Sequence, residues 1–309
     1  MVAPAMDSPA TRSPGIVLAG EWTVQRALPW LLATIAFVVL FADPARLLAR
    51  DWWNDPDAGH GLLLAPVSLW LAWKSGLRND AAPAPGWGGA IILAAVLLRA
   101  LGSLAAEFFT QRFSIWLALV GLVVFAFGWR QLRHWWLPAA LLLLSIPLPA
   151  LITNKLAIPL QFQASKYGTK LIEWRHIPVR TNGNVIVIAG QNPGETFSLF
   201  VAEACSGLRS LTALLALGVM IGGMYLRTVP GRIVLLLLSI PIAVAVNSLR
   251  IFLTAFLMYM VDPALGRGFM HTSEGWALFV VSFAIIGVIG AAIGLVERRL
   301  TRRRSVAHA

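Results

Sequence analysis

Cysteine occurs once in this 309-residue chain, at Cys205, which excludes an internal disulfide and any multi-cysteine zinc site. Charge is scarce as well. Asp, Glu, Lys and Arg make up 13% of the residues, against about 25% in an ordinary soluble domain. Acids are the rarer sign, 14 against 25 Lys and Arg, and the formal net charge is +11. No Gly-x-Ser-x-Gly, no His-Glu-x-x-His and no Gly-Asp pair within a span occurs, so intramembrane proteolysis by serine, zinc or aspartate has no motif behind it. Residues 1–25 are rich in Pro, Ser and Ala and lack an apolar h-region, so no signal peptide is expected.

What the chain does have is apolar sequence. The residues AVILMFWYC account for 58%, and mean hydropathy is +0.74. This excludes a disordered chain and a conventional cytosolic enzyme and predicts an all-α polytopic membrane protein. Eight segments are candidates to span: 27–44, 60–74, 87–106, 113–129, 135–152, 206–226, 233–260 and 276–296. The second is short and interrupted by Pro66. The basic residues sit between apolar segments and form no stripe of the kind nucleic acid needs. They fit the positive-inside rule instead. With both termini cytoplasmic, thirteen basic and four acidic residues fall inside, and nine basic and ten acidic outside. The domain reading is a cytoplasmic tail over 1–26, a membrane domain over 27–296 and a basic cytoplasmic tail over 297–309.

Residues 153–204 depart from the bundle and form an extracytoplasmic insertion before span six. Over 154–174 the pattern is that of an amphipathic helix lying in the bilayer interface, with Leu156, Leu160, Tyr167, Leu171 and Trp174 on its apolar face and Pro159 bending or delaying its start. Asn182-Gly183 between the β-prone runs 179–181 and 184–188 predicts a β-hairpin. A third β-prone run over 196–201 leads directly to Cys205.

Ionisable groups inside spans are costly and mark function. Cys205, at the outer N-terminus of span six, meets the positive end of a helix dipole that favours thiolate; a buried free Cys can also be inert filler. Arg209 lies one turn later on the same face, able to hold the thiolate, Glu203 or a lipid phosphate. Arg250 lies in the outer half of span seven, with Asn247 three residues earlier on its face. Its guanidinium suits an oxyanion, although snorkelling to the interface is an alternative. His271, in the outer loop before span eight, has the near-neutral pKa of a general acid or base. His60, in Gly59-His60-Gly61, is a supporting or substrate-contacting group, and Trp52-Trp53 before it fits an interfacial aromatic belt. A thiol, a guanidinium and an imidazole on one membrane face meet the needs of thiol acyl transfer. No cofactor and no metal is implied.

The stretch Val201-Ala202-Glu203-Ala204-Cys205-Ser206-Gly207-Leu208-Arg209-Ser210-Leu211, then Pro241, Asn247-Ser248-Leu249-Arg250, and His271 with Gly275, resembles the exosortase/archaeosortase family. Gly59-His60-Gly61-Leu62 with Ala65-Pro66 matches an upstream pattern of the same family, and the similarity runs from about residue 50 to 296. The resemblance implies a polytopic cysteine protease or transpeptidase with Cys205 as nucleophile, Arg250 as oxyanion-stabilising group and His271 as acid/base. Arg209, Asn247, His60 and Glu203 would support them. Implied substrates are exported proteins ending in a short motif such as Pro-Glu-Pro, one transmembrane helix and a basic cluster, which are passed to an envelope acceptor. Membrane lipids, but no nucleic acid, are the other expected partners. The chain would reside in the cell (inner) membrane. Glu203 and Glu274 are expected at the rim of the site. The competing readings are a cysteine protease that releases its product to water, and a transporter or anion channel lined by Arg99, Arg209 and Arg250.

Overall fold

A computed structural model describes residues 24–55, 58–182, 185–190, 194–200, 207–266 and 268–307. Among them are nine α-helices and one small sheet: α1 (Val24–Asn54), α2 (Gly61–Ser75), α3 (Pro85–Leu104), α4 (Phe108–His134), α5 (Trp136–Leu144), α6 (Ala150–Trp174), β1 (Val179–Asn182), β2 (Val185–Ala189), β3 (Thr196–Phe200), α7 (Gly207–Tyr225), α8 (Val229–Met260) and α9 (Gly268–Ala307). The chain divides into two compact units, one ending at Asp43 and one starting at Pro44. The division falls within α1, at a proline that cannot donate a helical hydrogen bond.

Among the described residues, five stretches are long and apolar enough to cross a membrane: Leu31–Asn54, Pro85–Leu104, Phe108–His134, Val229–Met260 and Val280–Thr301. Thr212–Tyr225 is a shorter apolar helix. The chain is thus a mostly helical, polytopic membrane protein. Its polarity is inverted relative to a soluble fold. Leu63, Leu104, Trp73 and Val288 are exposed, while Ser68, Ser114, Gln131, Ser239, Asn247 and Thr254 are buried. Lipid accepts apolar side chains, so packing is left to small residues and hydrogen bonds. In the α3–α4 hairpin, Gly88 lies against the Phe125 backbone, Gly121 against Ile92 and Gly102 against Gln111. Gly128 breaks α4 with φ of 75°. A Cβ there would fall 1.9 Å from the Ala82 carbonyl oxygen, so the kink admits no other residue.

Glu107 caps α4, accepting from the amides of Phe109 (3.1 Å) and Thr110 (2.5 Å). Burial pushes its carboxyl up, but the bonds from Thr110 and Phe109 outweigh this and hold it below the usual 4.5. A depressed carboxyl stabilises the fold above its unfolded value and stops doing so as the pH falls through the folded one. Glu107→Ala should therefore cost about 1 kcal/mol at neutral pH. Thermal unfolding in detergent should show that deficit shrinking below pH 4.5; a deficit constant with pH would exclude the carboxylate as its source.

One expected span and the expected interfacial helix take another form. The segment 135–152 is not one helix. α5 stops at Leu144 and α6 starts at Ala150, because Pro147 and Pro149 cannot donate amide bonds across 145–149. α6 then runs unbroken through Pro159, a residue membrane helices tolerate. The apolar face anticipated for α6 is not the one that packs. Ala164, Ser165, Gly168, Thr169 and Ile172 are buried, whereas Leu156, Tyr167 and Trp174 are exposed. Gly168 sits beneath Ile251 and the Ser248 carbonyl of α8, and Arg175 lies over the Phe256 ring. Those pairs advance together, so α6 lies alongside α8 in the same direction rather than flat in the interface. The sheet is an antiparallel meander in the order β1-β2-β3, with Val179 opposite Ile188 and Ile188 opposite Phe197. Its buried Ile186, Ile188 and Leu199 join Ile251, Ala255 and Met258 in one core.

α8 is the shared wall of the domain. α7 approaches it through Gly218, which abuts Ser239 and Leu236, and through Gly222 at Arg232. α9 approaches through Gly290 at Leu235, and its Glu297 abuts Gly231. At this end the Glu297 carboxylate accepts from the amides of Arg227 and Thr228 and from the Thr228 hydroxyl. Arg232 donates to the Leu226 carbonyl and covers the Trp136 ring.

Candidate active site

Contacts along α8 set the levels of its neighbours. Gly218 of α7 meets Ser239, and Glu297 of α9 meets Thr228 and Gly231. Both neighbours are antiparallel to α8. Carrying these registers outward puts Arg250 level with Gly207, the first residue of α7, and with Gly275 of α9. At 1.5 Å per residue, that level lies about 33 Å from Thr228 along α8. Three chain segments named by the sequence motifs thus run close to one height on one side of the bundle.

Arg250 is buried, with 9% of its surface exposed, and Asn247 is buried at 6%. Arg232, Leu236 and Ser239 of α8 lie against glycines of α7. The helical period carries that line through Ala243 to Arg250. Ile251, Ala255 and Met258 form a separate stripe that faces α6 and the sheet. The guanidinium therefore belongs to the α7 side of α8, away from the insertion. A cation buried in a spanning helix is costly unless it is matched by partners or by a task.

The remaining expected site residues fall differently. Cys205 and Glu203 lie outside the described residues. Arg209 is in the first turn of α7 and His271 in the first turn of α9, and the structure fixes their backbones. Leu144, the partner of His60, packs against the cluster that joins α2, α5 and α7.

His60 has a structural task that the sequence did not disclose. Its Nε2 lies 3.1 Å from the Leu144 carbonyl oxygen. A carbonyl can only accept, so Nε2 carries the proton. Beside it, the Trp52 indole donates to the Ser145 carbonyl at 2.7 Å. Both cap carbonyls that the α5 break leaves without a helical partner. Gly61 makes room, since a Cβ there would fall 2.1 Å from the Trp52 indole nitrogen. Trp52 was expected only in an aromatic belt; the glycine after His60 was the available signal of close approach. Trp53, by contrast, is exposed. Across the same region Asp51 pairs with Arg112.

A family model described as transmembrane exosortase (Exosortase_EpsH) matches residues 52–288. Searches of curated proteins and of solved structures returned no match. The matched span takes in the His60 cap, the α6–sheet module, Arg250 and the start of α9, leaving out most of α1 and the basic tail. The chain belongs to the transmembrane exosortase family, membrane proteins that process the sorting signals of exported substrates.

Proposed function

We propose that this chain is a cysteine transpeptidase that removes the C-terminal sorting tail of exported proteins through a thioester. The observation that carries this reading is Arg250, a guanidinium 9% exposed on the α7-facing line of α8. Its distance of about 33 Å from the Thr228 end compares with about 30 Å of hydrocarbon, which suits a site at the outer boundary of the membrane.

In the proposed reaction the Cys205 thiolate attacks the scissile carbonyl carbon. A carbon–sulfur bond forms and the carbonyl electron pair moves to oxygen, where Arg250 stabilises the charge. Collapse restores the carbonyl and breaks the carbon–nitrogen bond, and the leaving nitrogen takes a proton from the His271 imidazolium. The thioester is then attacked by an acceptor nucleophile, whose proton His271 removes, and the thiolate is released. Arg209 supports the thiolate from the next turn. Glu203 and Glu274 shape the rim, and Asn247 packs beside Arg250.

The substrates are exported proteins whose tail holds a short motif, one transmembrane helix and a basic cluster, entering laterally between helices. The membrane is the cell (inner) membrane. Both termini are cytoplasmic and the site is extracytoplasmic, with eight passes of which α2 and the broken α5–α6 pair are the irregular ones. Grouping of Arg227, Arg232 and Arg298 around the Glu297 cap supports that orientation, since basic residues concentrate on the cytoplasmic side.

Transpeptidation and simple hydrolysis share the acyl-enzyme and separate in its second half. With membranes containing the enzyme and a tail-bearing substrate, added hydroxylamine should be incorporated as a C-terminal hydroxamate on the processed protein. Mass spectrometry that finds the cleaved protein without any hydroxamate, at every hydroxylamine concentration, would remove the thioester from the account.

A further inference from the structure

Polar contacts gather the ends of five helices at the Thr228 end of α8. The Gln131 side chain of α4 accepts from the Arg78 amide at 2.9 Å and donates to the Gly76 carbonyl just past α2. The Trp135 indole donates to the same carbonyl at 3.1 Å. Trp136, which opens α5, lies under the Arg232 guanidinium of α8 at 4.8 Å. α9 joins through Glu297, which accepts from the amides of Arg227 and Thr228. These links bring Lys74, Arg130, Arg133, Arg227, Arg298 and Arg299 to one end of the bundle, and all six are exposed. The acids of the same segments, Asp80 and Glu297, are already engaged. Asp80 lies 2.7 Å from Arg78 and 3.6 Å from Arg130. Glu297 is buried at the N-terminus of α8, where its charge offsets the positive end of that helix. The positive charge of the surface is therefore left largely uncompensated. Trp73, Trp129, Trp136 and Tyr225 are exposed as well, each within three residues of one of the six cations. Exposed indoles and phenols favour the headgroup level, where an apolar ring and a wet polar edge are both satisfied. The cations beside them lie at the depth of lipid phosphates.

We infer that this end of the bundle is a binding surface for anionic phospholipid headgroups, with Arg227, Arg298 and Arg299 as its principal contacts. Arg227 and Arg298 flank one junction, because the Arg227 amide donates to the carboxylate of Glu297, the residue before Arg298. A guanidinium offers phosphate a planar fork of donors. A zwitterionic headgroup presents the same phosphate together with an ammonium that this surface repels, so the preference is for lipids of net negative charge. Clusters of basic residues at the end of a spanning helix gain most from such lipids. α9 continues as helix past the junction through Arg302, Arg303 and Arg304, which extends the basic run along the same element. The surface is independent of the chemistry assigned to Cys205, and loss of either would leave the other standing.

The test titrates the detergent-solubilised full chain with phosphatidylglycerol or with phosphatidylcholine and counts retained lipids by native mass spectrometry. Wild type should retain phosphatidylglycerol at concentrations where phosphatidylcholine is lost. Arg227→Gln, Arg298→Gln and Arg299→Gln made together should weaken phosphatidylglycerol binding about fivefold or more, since one arginine near an anionic surface is worth about that factor. Lys155→Gln, Lys166→Gln and Lys170→Gln made together remove the same charge from exposed positions on α6 and should leave the affinity unchanged. A reading that needs no variant guards against misfolding: wild-type preference should fall toward parity as ammonium acetate is raised to about 1 M, where screening acts within about 3 Å. Equal retention of the two lipids by wild type, equal weakening in both triple variants, a preference unmoved by salt, or displacement of the lipid by millimolar inorganic phosphate would each overturn the assignment. The last result would make the surface a free-anion site and not a lipid site.

Discussion

Cys205→Ala leaves a tail-bearing substrate at full length while the enzyme accumulates in the membrane as wild type does. The expected loss is about 10⁴-fold or more, the scale on which removing a nucleophile acts. The argument rests on covalent chemistry rather than packing. Alanine occupies nearly the same volume as cysteine, and the chain has no second thiol to take its place. Cys205→Ser should fail nearly as badly, because a hydroxyl is a far weaker nucleophile at neutral pH than a thiol, whose thiolate form is far more accessible. Immunoblots of the substrate would show only the unprocessed form, with equal enzyme in both lanes. Normal processing by the Ala variant would end the assignment of Cys205 and the mechanism built on it.

Arg250→Lys is the second large effect. Charge is retained, so the electrostatic burden on the buried site changes little and the protein should still accumulate. Geometry is what the substitution removes. An ammonium is a compact, strongly hydrated point charge that cannot reproduce the planar fork of a guanidinium. Loss of a preorganised oxyanion donor typically costs about 10²–10³ in kcat, and the same range is expected here with KM little altered. Processing at the wild-type rate would make Arg250 a packing and charge-pairing residue. Accumulation should be measured alongside, since Arg250 is 9% exposed and a collapse in protein level would report folding instead.

Much of the fold was legible because membrane helices are written in long apolar runs. The α3, α4, α8 and α9 spans follow from hydropathy alone, and the strands Val179–Asn182 and Val185–Ala189 were legible in β-prone runs. The irregular passes were less legible. Hydropathy gives 135–152 as continuous, yet two prolines at 147 and 149 outweigh it and split the segment into α5 and α6. For α6 the apolar residues suggested the packed face, and the packed face turned out to be Ala164, Ser165, Gly168, Thr169 and Ile172. In lipid, an apolar side chain gains little by turning inward, whereas small residues let backbones approach closely. His60 shows the same limit from another direction. A histidine beside glycines reads as a functional group, and its bond to a carbonyl 84 residues away could not be read from that motif.

The sequence by itself determined that this is a polytopic membrane protein, where its charge asymmetry lies, and that Cys205, Arg250 and His271 occur in the order of the family it resembles. Those properties are one-dimensional: transfer into hydrocarbon is summed along a helix, and a motif is a string. Only the tertiary structure decided which face of α8 carries Arg250, that α6 runs beside it, and that His60 and Trp52 cap a broken helix. Each of these depends on which glycine a neighbouring backbone approaches and which carbonyl a proline leaves unpaired, and such choices are settled between segments far apart in the chain.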